Sequence, residues 1–166
     1  ALLRWGCQTL LKASQILSIK DNLIPKWQEI IEKLTDYPQD ENGMMIGKDM
    51  PFSKSHRHYS HLLMFYPLYL LNIEQNENKE LLEKSVEHWL SIPGNILGFS
   101  NTGASSLYAA AGEGNKALEK LKGLFALALR PNTMYMESGP VIETPLSGAQ
   151  CIHDMLLQSW GGKIRV

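Results

Sequence analysis

The chain has 166 residues, 44% of them hydrophobic and 20% charged, with 16 basic against 17 acidic residues and a formal net charge of −1. A chain of this order can bury about two-thirds of its unfolded surface, enough for a real core. Balanced charge without clustered Lys and Arg argues against a polyanion partner such as nucleic acid, and no run reaches the roughly 20 apolar residues of a membrane-spanning helix.

Helical spacing dominates from the start. Leu3, Leu10, Leu11, Ile16 and Leu17, with Trp5 and Cys7, predict a first helix, which Asp21-Asn22 interrupts. A second is predicted over about Leu23 to Thr35, with Pro25 tolerated in its first turn and Ile24, Trp27, Ile30, Ile31 and Leu34 on its apolar face. From Asp36 to Ser55 the sequence is punctuated by Pro38, Gly43, Gly47 and Pro51, with Met44-Met45-Ile46 as a short extended piece. A connection of this length inside a domain is usually functional. A helix is expected to resume near Tyr59 and to end or bend at Pro67.

Lys79 to Ser91 reads as a further helix with Leu82, Val86, Trp89 and Leu90 inward. Asn101-Thr102-Gly103 is expected to cap a helix through Ala111, closed by Gly112. Asn115 caps the next, to about Leu129 before Pro131, and the joint Gly112-Glu113-Gly114 implies an antiparallel pair. The last helix is expected from about Leu146 to Trp160, ended by Gly161-Gly162. The total is about seven helices with two long irregular stretches, 36–55 and 131–145, an all-α pattern of helix pairs with function in the loops. No repeat of fixed period is visible. Ala1 to Trp5 reads as the middle of a helix and Gly161 to Val166 as a strand, so the expectation is a fragment cut at both ends. No signal peptide is legible.

Three chemistries are weighed for the segment Ser55-His56-Arg57-His58-Tyr59-Ser60-His61. Arg offers a fixed fork of donors and neutral His one donor and one acceptor, a set that suits a polyhydroxylated ligand. His58 and His61 at i, i+3 are a weaker zinc reading, because no nearby Cys or HExxH completes a site. For His61, inside an apolar stretch, a satisfied core histidine is the better reading; Tyr59, beside His58, is expected near a ligand. The second candidate is Met136 to Pro145, where Glu137 and Glu143 lie six apart in a Gly/Pro-rich loop before a helix. Glycosidases need two carboxyl groups, yet Glu143 also sits where a helix N-terminus stabilises negative charge. Trp5, Trp27, Trp89 and Trp160 fall at core spacing. Cys7 and Cys151 read as buried small hydrophobes, with a pairing between them left open.

The segment His56-Arg57-His58-Tyr59-Ser60-His61-Leu62, with Tyr66-Pro67 after it, resembles the His-Arg-His-x-Ser-His-Leu segment of glycoside hydrolase family 95, the inverting α-L-fucosidase group. Thr102 to Leu107 and Gly112 to Ala117 are similar to its Thr-Gly-Trp-Ser-Leu helix and Gly-Asp-Gly turn. Ile142-Glu143 through Met155-Leu156-Leu157-Gln158-Ser159 is similar to its Ile-Asp-Gly-Asn-Phe-Gly stretch and following helix. The resemblance implies the C-terminal part of an (α/α)6-barrel (six-hairpin toroid) catalytic domain spanning residues 1–166. It implies that Arg57 and His58 contact the sugar, with Tyr59 and Glu137 beside them, and that Glu143 stands at the position of the Asp that assists the hydrolytic water.

It further implies an exo-acting enzyme on oligo- or polysaccharide, no cofactor or metal, the remainder of the same catalytic domain as partner, a general acid outside this chain, and a periplasmic or extracellular location. Three departures stand out. Glu143 replaces Asp, Glu137 stands where the family has a His six residues earlier, and Thr144-Pro145-Leu146-Ser147 replaces Gly-Asn-Phe-Gly. An α/α-toroid polysaccharide lyase using Tyr59 and His58, and a non-catalytic helical carbohydrate-binding module, are the alternatives.

Overall fold

Small residues decide the architecture. The stretch Gly98 to Ala110 carries Gly, Ala and Ser where a surface helix would carry charges, and such a helix can be approached closely on every side. In the computed structural model, which describes residues 1–137, 139 and 141–166, this stretch is a helix with eleven of its thirteen residues buried. Ser138 and Pro140 of the predicted Gly/Pro-rich loop lie outside the described residues.

The elements in chain order are α1 (Leu2–Leu17), α2 (Ile24–Lys33), β1 (Gln39–Asp40), β2 (Gly43–Met44), a 3₁₀ turn (Ser60–Leu62), α3 (Asn76–Ser91), α4 (Gly98–Ala110), α5 (Gly114–Ala128), α6 (Glu143–Leu156), β3 (Gln158–Trp160) and β4 (Lys163–Arg165). The protein is thus all-α in class, with six helices and two minimal antiparallel hairpins among the described residues. α1 packs on α2, while α4 packs on α5 and α6 and touches α3. The α4–α5 pair is antiparallel: the Ser105 hydroxyl donates to Ala117 O at 2.9 Å, while a side chain on Gly123 would meet Asn101. Helix pairs joined by tight turns are the unit from which α/α toroids are built.

The core lies between α3, α4 and the segment after the 3₁₀ turn, around Trp89, Phe65, Leu62, Leu82, Val86 and Leu107, none of them more than 1% exposed. Hydroxyl groups buried with them are satisfied locally or across helices. Ser147 donates to Thr102 Oγ1 at 2.7 Å, and Thr102 donates to Phe99 O at 3.0 Å. Both cysteines are free and buried, so they are not paired with each other.

Four sequence expectations are corrected. No α-helix forms at Tyr59; the chain makes one 3₁₀ turn and then irregular backbone through a cis Tyr66–Pro67 bond. Pro67 has no N–H to donate and disfavours helical backbone in the residue before it, so a helix is not sustained through Tyr66. α4 begins at Gly98, three residues before the expected cap, because Ser100 Oγ reaches back to accept from Leu97 N at 3.2 Å. α6 begins at Glu143 and ends at Leu156, and Gly161-Gly162 is the turn of the β3–β4 hairpin, with both φ values positive (61° and 73°). Of the four tryptophans only Trp89 is fully buried; Trp5 is 43% exposed and Trp160 lies on β3 between Tyr69, stacked at 5.0 Å, and the Arg165 guanidinium at 3.5 Å.

Candidate functional site

The His/Arg segment has no regular structure of its own, so its shape is imposed by bonds from α3 and α4. Trp89 Nε1 donates to His56 O at 2.7 Å, and His88 Nε2 donates to Phe52 O at 2.7 Å. Asn95 N donates to Ser55 Oγ at 2.8 Å, and Ser100 Oγ donates to Arg57 O at 2.9 Å. Within the segment, His58 N donates to His56 Nδ1 at 3.1 Å. Four of these bonds fall on Ser55 to His58 and the fifth holds Phe52 just before them, with Asn95 donating from the connection between α3 and α4.

The side chains then divide. His61 is 9% exposed, stacked on Phe52 at 4.1 Å and edge-on to Trp89. Burial lowers its pKa to about 4, with His88 and His56 adding to the effect, so it is neutral near pH 7. Its place is in the core. Tyr59 is half-buried, its ring stacked on Phe99 and packed so closely over Gly103 that no Cβ could stand there. Burial, then the charge of Asp154, pushes its hydroxyl up to about 12. His58 is half-buried, with its ring edge-on to Phe99 at 5.2 Å. Its pKa is lowered by burial first, then by Arg57 and His56, against an opposing pull from Glu137 and Glu143. Both carboxylates lie some 80 residues on in the sequence.

The two carboxylates have different surroundings. Glu137 Oε1 accepts from Gly98 N, the first residue of α4, at 3.1 Å. Its Oε2 accepts from Tyr135 Oη in a short bond and from Thr144 Oγ1 at 3.3 Å. A carboxylate on a helix N-terminus gains from the free N–H groups and the helix dipole. Burial and this bond push the Tyr135 hydroxyl up to about 12. Glu143, the first residue of α6, is exposed and accepts no side-chain hydrogen bond among the described residues.

Two hollows open beside this arrangement. One, of about 570 Å³, is lined by residues that include Phe52, Lys54, His56, His58 and His61; the other, of about 200 Å³, lies against His58, Tyr59, Leu63 and Phe99. His58 and Ser60 border both. Among the described residues no three His, Cys, Asp or Glu side chains converge on a point that could hold a metal.

Sequence reasoning missed Tyr135, Ser100 and Phe99, which tie the two candidate segments together. It also missed Asp154, a buried carboxylate that accepts from Tyr66 Oη at 2.6 Å and Gln150 Nε2 at 2.9 Å. Every one of these contacts except the last spans long sequence separations or depends on a loop path, and no local spacing announces it. The family model for the glycosyl hydrolase family 95 catalytic domain matches residues 1–156. No curated protein matches the chain.

Proposed function

Because the chain belongs to the glycosyl hydrolase family 95 catalytic domain, we propose that it is the C-terminal part of an exo-acting, inverting, α-L-fucosidase-like enzyme that removes a terminal sugar from an oligo- or polysaccharide. Family membership makes this a glycoside hydrolase domain acting on carbohydrate. The finer reading is supported by one observation: Glu143 stands exposed at the head of α6 and accepts no side-chain hydrogen bond among the described residues.

In this reading Glu143 takes the proton of the attacking water. Arg57 and His58 hold the terminal sugar. The general acid comes from another part of the domain, about 6.5–9.5 Å from Glu143 to leave room for water. His58, neutral because it is partly buried, can both donate to and accept from sugar hydroxyls. Glu137 and Tyr59 act through what they hold: Glu137 fixes the loop before α6 to the head of α4, and Tyr59, next to His58, packs on Phe99 and over Gly103 of α4. A periplasmic or extracellular setting belongs to the same proposal.

The lyase alternative is the weaker one, since the family model that matches the chain is that of a glycosyl hydrolase catalytic domain. The test is Glu143→Gln in the complete enzyme. The expected result is a kcat lower by about 10²–10⁴-fold with KM little changed, and an inverted product anomer from the unaltered enzyme by NMR. Undiminished turnover by the variant would remove Glu143 from the reaction.

A further inference from the structure

Glu143 stands in a turn of helix that is pinned from outside. It is exposed at the first position of α6, whereas Thr144, the next residue, is 1% exposed. A hydroxyl buried so completely needs a partner. Thr144 Oγ1 donates to Glu137 Oε2 at 3.3 Å, and the Tyr135 hydroxyl donates to the same oxygen in a short bond. The other oxygen of Glu137 accepts from Gly98 N at 3.1 Å. One carboxylate therefore ties the heads of α4 and α6 together.

Tyr135 is itself fixed. It packs against the cluster of Leu121, Leu124 and Cys151, its backbone is bridged to Leu129, and Met136 N donates to Ala128 O at 3.0 Å at the end of α5. Its hydroxyl stands where a Cβ on residue 98 would be, with Leu124 Cδ1 and Thr144 Cγ2 each 3.2 Å from that point, so only glycine fits there. Helix periodicity sets which way the pinned turn faces. Residues 143, 147, 150 and 154 form one row along α6. Ser147 donates to Thr102 Oγ1 of α4 at 2.7 Å, and Asp154 accepts from Gln150 of the same row and from Tyr66 Oη. The row thus faces α4 and the chain that follows the His/Arg segment, and Glu143 is its first member.

We propose that Tyr135 and Thr144 are positioning residues for Glu143, holding through the Glu137 carboxylate the helix turn that carries it. The assignment rests on the reading of Glu143 as the group that takes the proton of the attacking water. A misplacement of about 1 Å is enough to cost such a group much of its rate.

The experiment follows fucose release from 2′-fucosyllactose by the complete enzyme carrying Thr144→Val, Thr144→Ser or Tyr135→Phe, each also combined with Glu143→Gln. Thr144→Val and Tyr135→Phe should each lower kcat about tenfold with KM changed less than about twofold. Thr144→Ser, which keeps the hydroxyl, should recover most of the loss. In the Glu143→Gln background neither change should lower the residual rate further, because the group they position is gone. The two variants remove different hydroxyls from one carboxylate, so failure of either to fold leaves the other as the test. An equal proportional loss in both backgrounds would assign the hydroxyls to the fold alone and overturn the positioning, as would an unchanged kcat in both variants. Full turnover by Glu143→Gln alone, or no fucose released by the unaltered enzyme, would instead overturn the broader reading and the positioning with it.

Discussion

His61 shows how a residue type announces chemistry that its surroundings then withdraw. Its ring lies between Phe52 and Trp89, and its folded pKa is about 4, against an ordinary value of 6.5. The unfolded chain therefore binds this proton first. Folding stability is complete above about pH 6.5 and declines as pH falls towards 4, by an amount on the order of 3 kcal/mol. Urea midpoints across that window should fall in the unaltered protein and fall markedly less in His61→Phe, which keeps the stacking on Phe52; parallel curves would show that His61 is not the group responsible. Such a residue is legible in sequence as a histidine inside an apolar run, which is why a core role could be read for it. Glu137 was not legible in the same way. Its partners Gly98 and Tyr135 are fixed by the path of a loop, and nothing in a Gly/Pro-rich stretch says which backbone N–H a carboxylate will meet.

Among the elements, α3 and α4 carry the site without lining much of it. Trp89 is fully buried on α3, and its indole N–H ends on His56 O. Trp89→Phe keeps an aromatic ring in the core but leaves that carbonyl without its donor, at a cost of about 1–3 kcal/mol. In chemical denaturation it should lower the midpoint, and it should also weaken sugar binding by releasing the His56–His58 segment; a midpoint equal to the unaltered protein would show that the bond contributes nothing. On α4, Gly103 lies directly beneath the Tyr59 ring. Gly103→Ala should destabilise by about 1–3 kcal/mol through overpacking, and by much less when combined with Tyr59→Ala, because the two changes share one contact. Additive effects would separate them.

Helix content was readable because three- and four-residue spacing survives in α1, α2, α3 and α5. The ends were less so. A glycine pair after an apolar stretch fits a helix stop and a hairpin turn equally well, since both need positive φ, and only the pairing of Gln158–Trp160 with Lys163–Arg165 decides for the turn. For α4 the helix through Ala111 was readable, but its starting point depended on a serine reaching back to Leu97.

At the scale of the molecule, apolar surface is distributed unevenly. On α1 the side chains of Leu2, Leu3, Trp5, Leu10, Ile16 and Leu17 are 43–71% exposed, and Cys7 is the one buried residue of that helix. Surfaces of this kind bind hydrophobic dyes and associate in water. The 166-residue chain should enhance the fluorescence of an anilinonaphthalene dye, and a variant with Ile16→Lys and Leu17→Lys should reduce the signal with helicity by circular dichroism retained. An unchanged signal would show that this face is covered in solution. The site itself is set by one place in the architecture. At the head of α4, Gly98 N meets Glu137 while Ser100, two residues on, meets both Leu97 N and Arg57 O. The His56–His58 segment and the acidic loop are both measured from that single turn of helix, like two rulers laid against one edge. Either loop can therefore lengthen, shorten or change its composition beyond those contacts without disturbing the alignment of the other, so a family built on this arrangement can vary what it recognises and keep the spacing on which its chemistry depends.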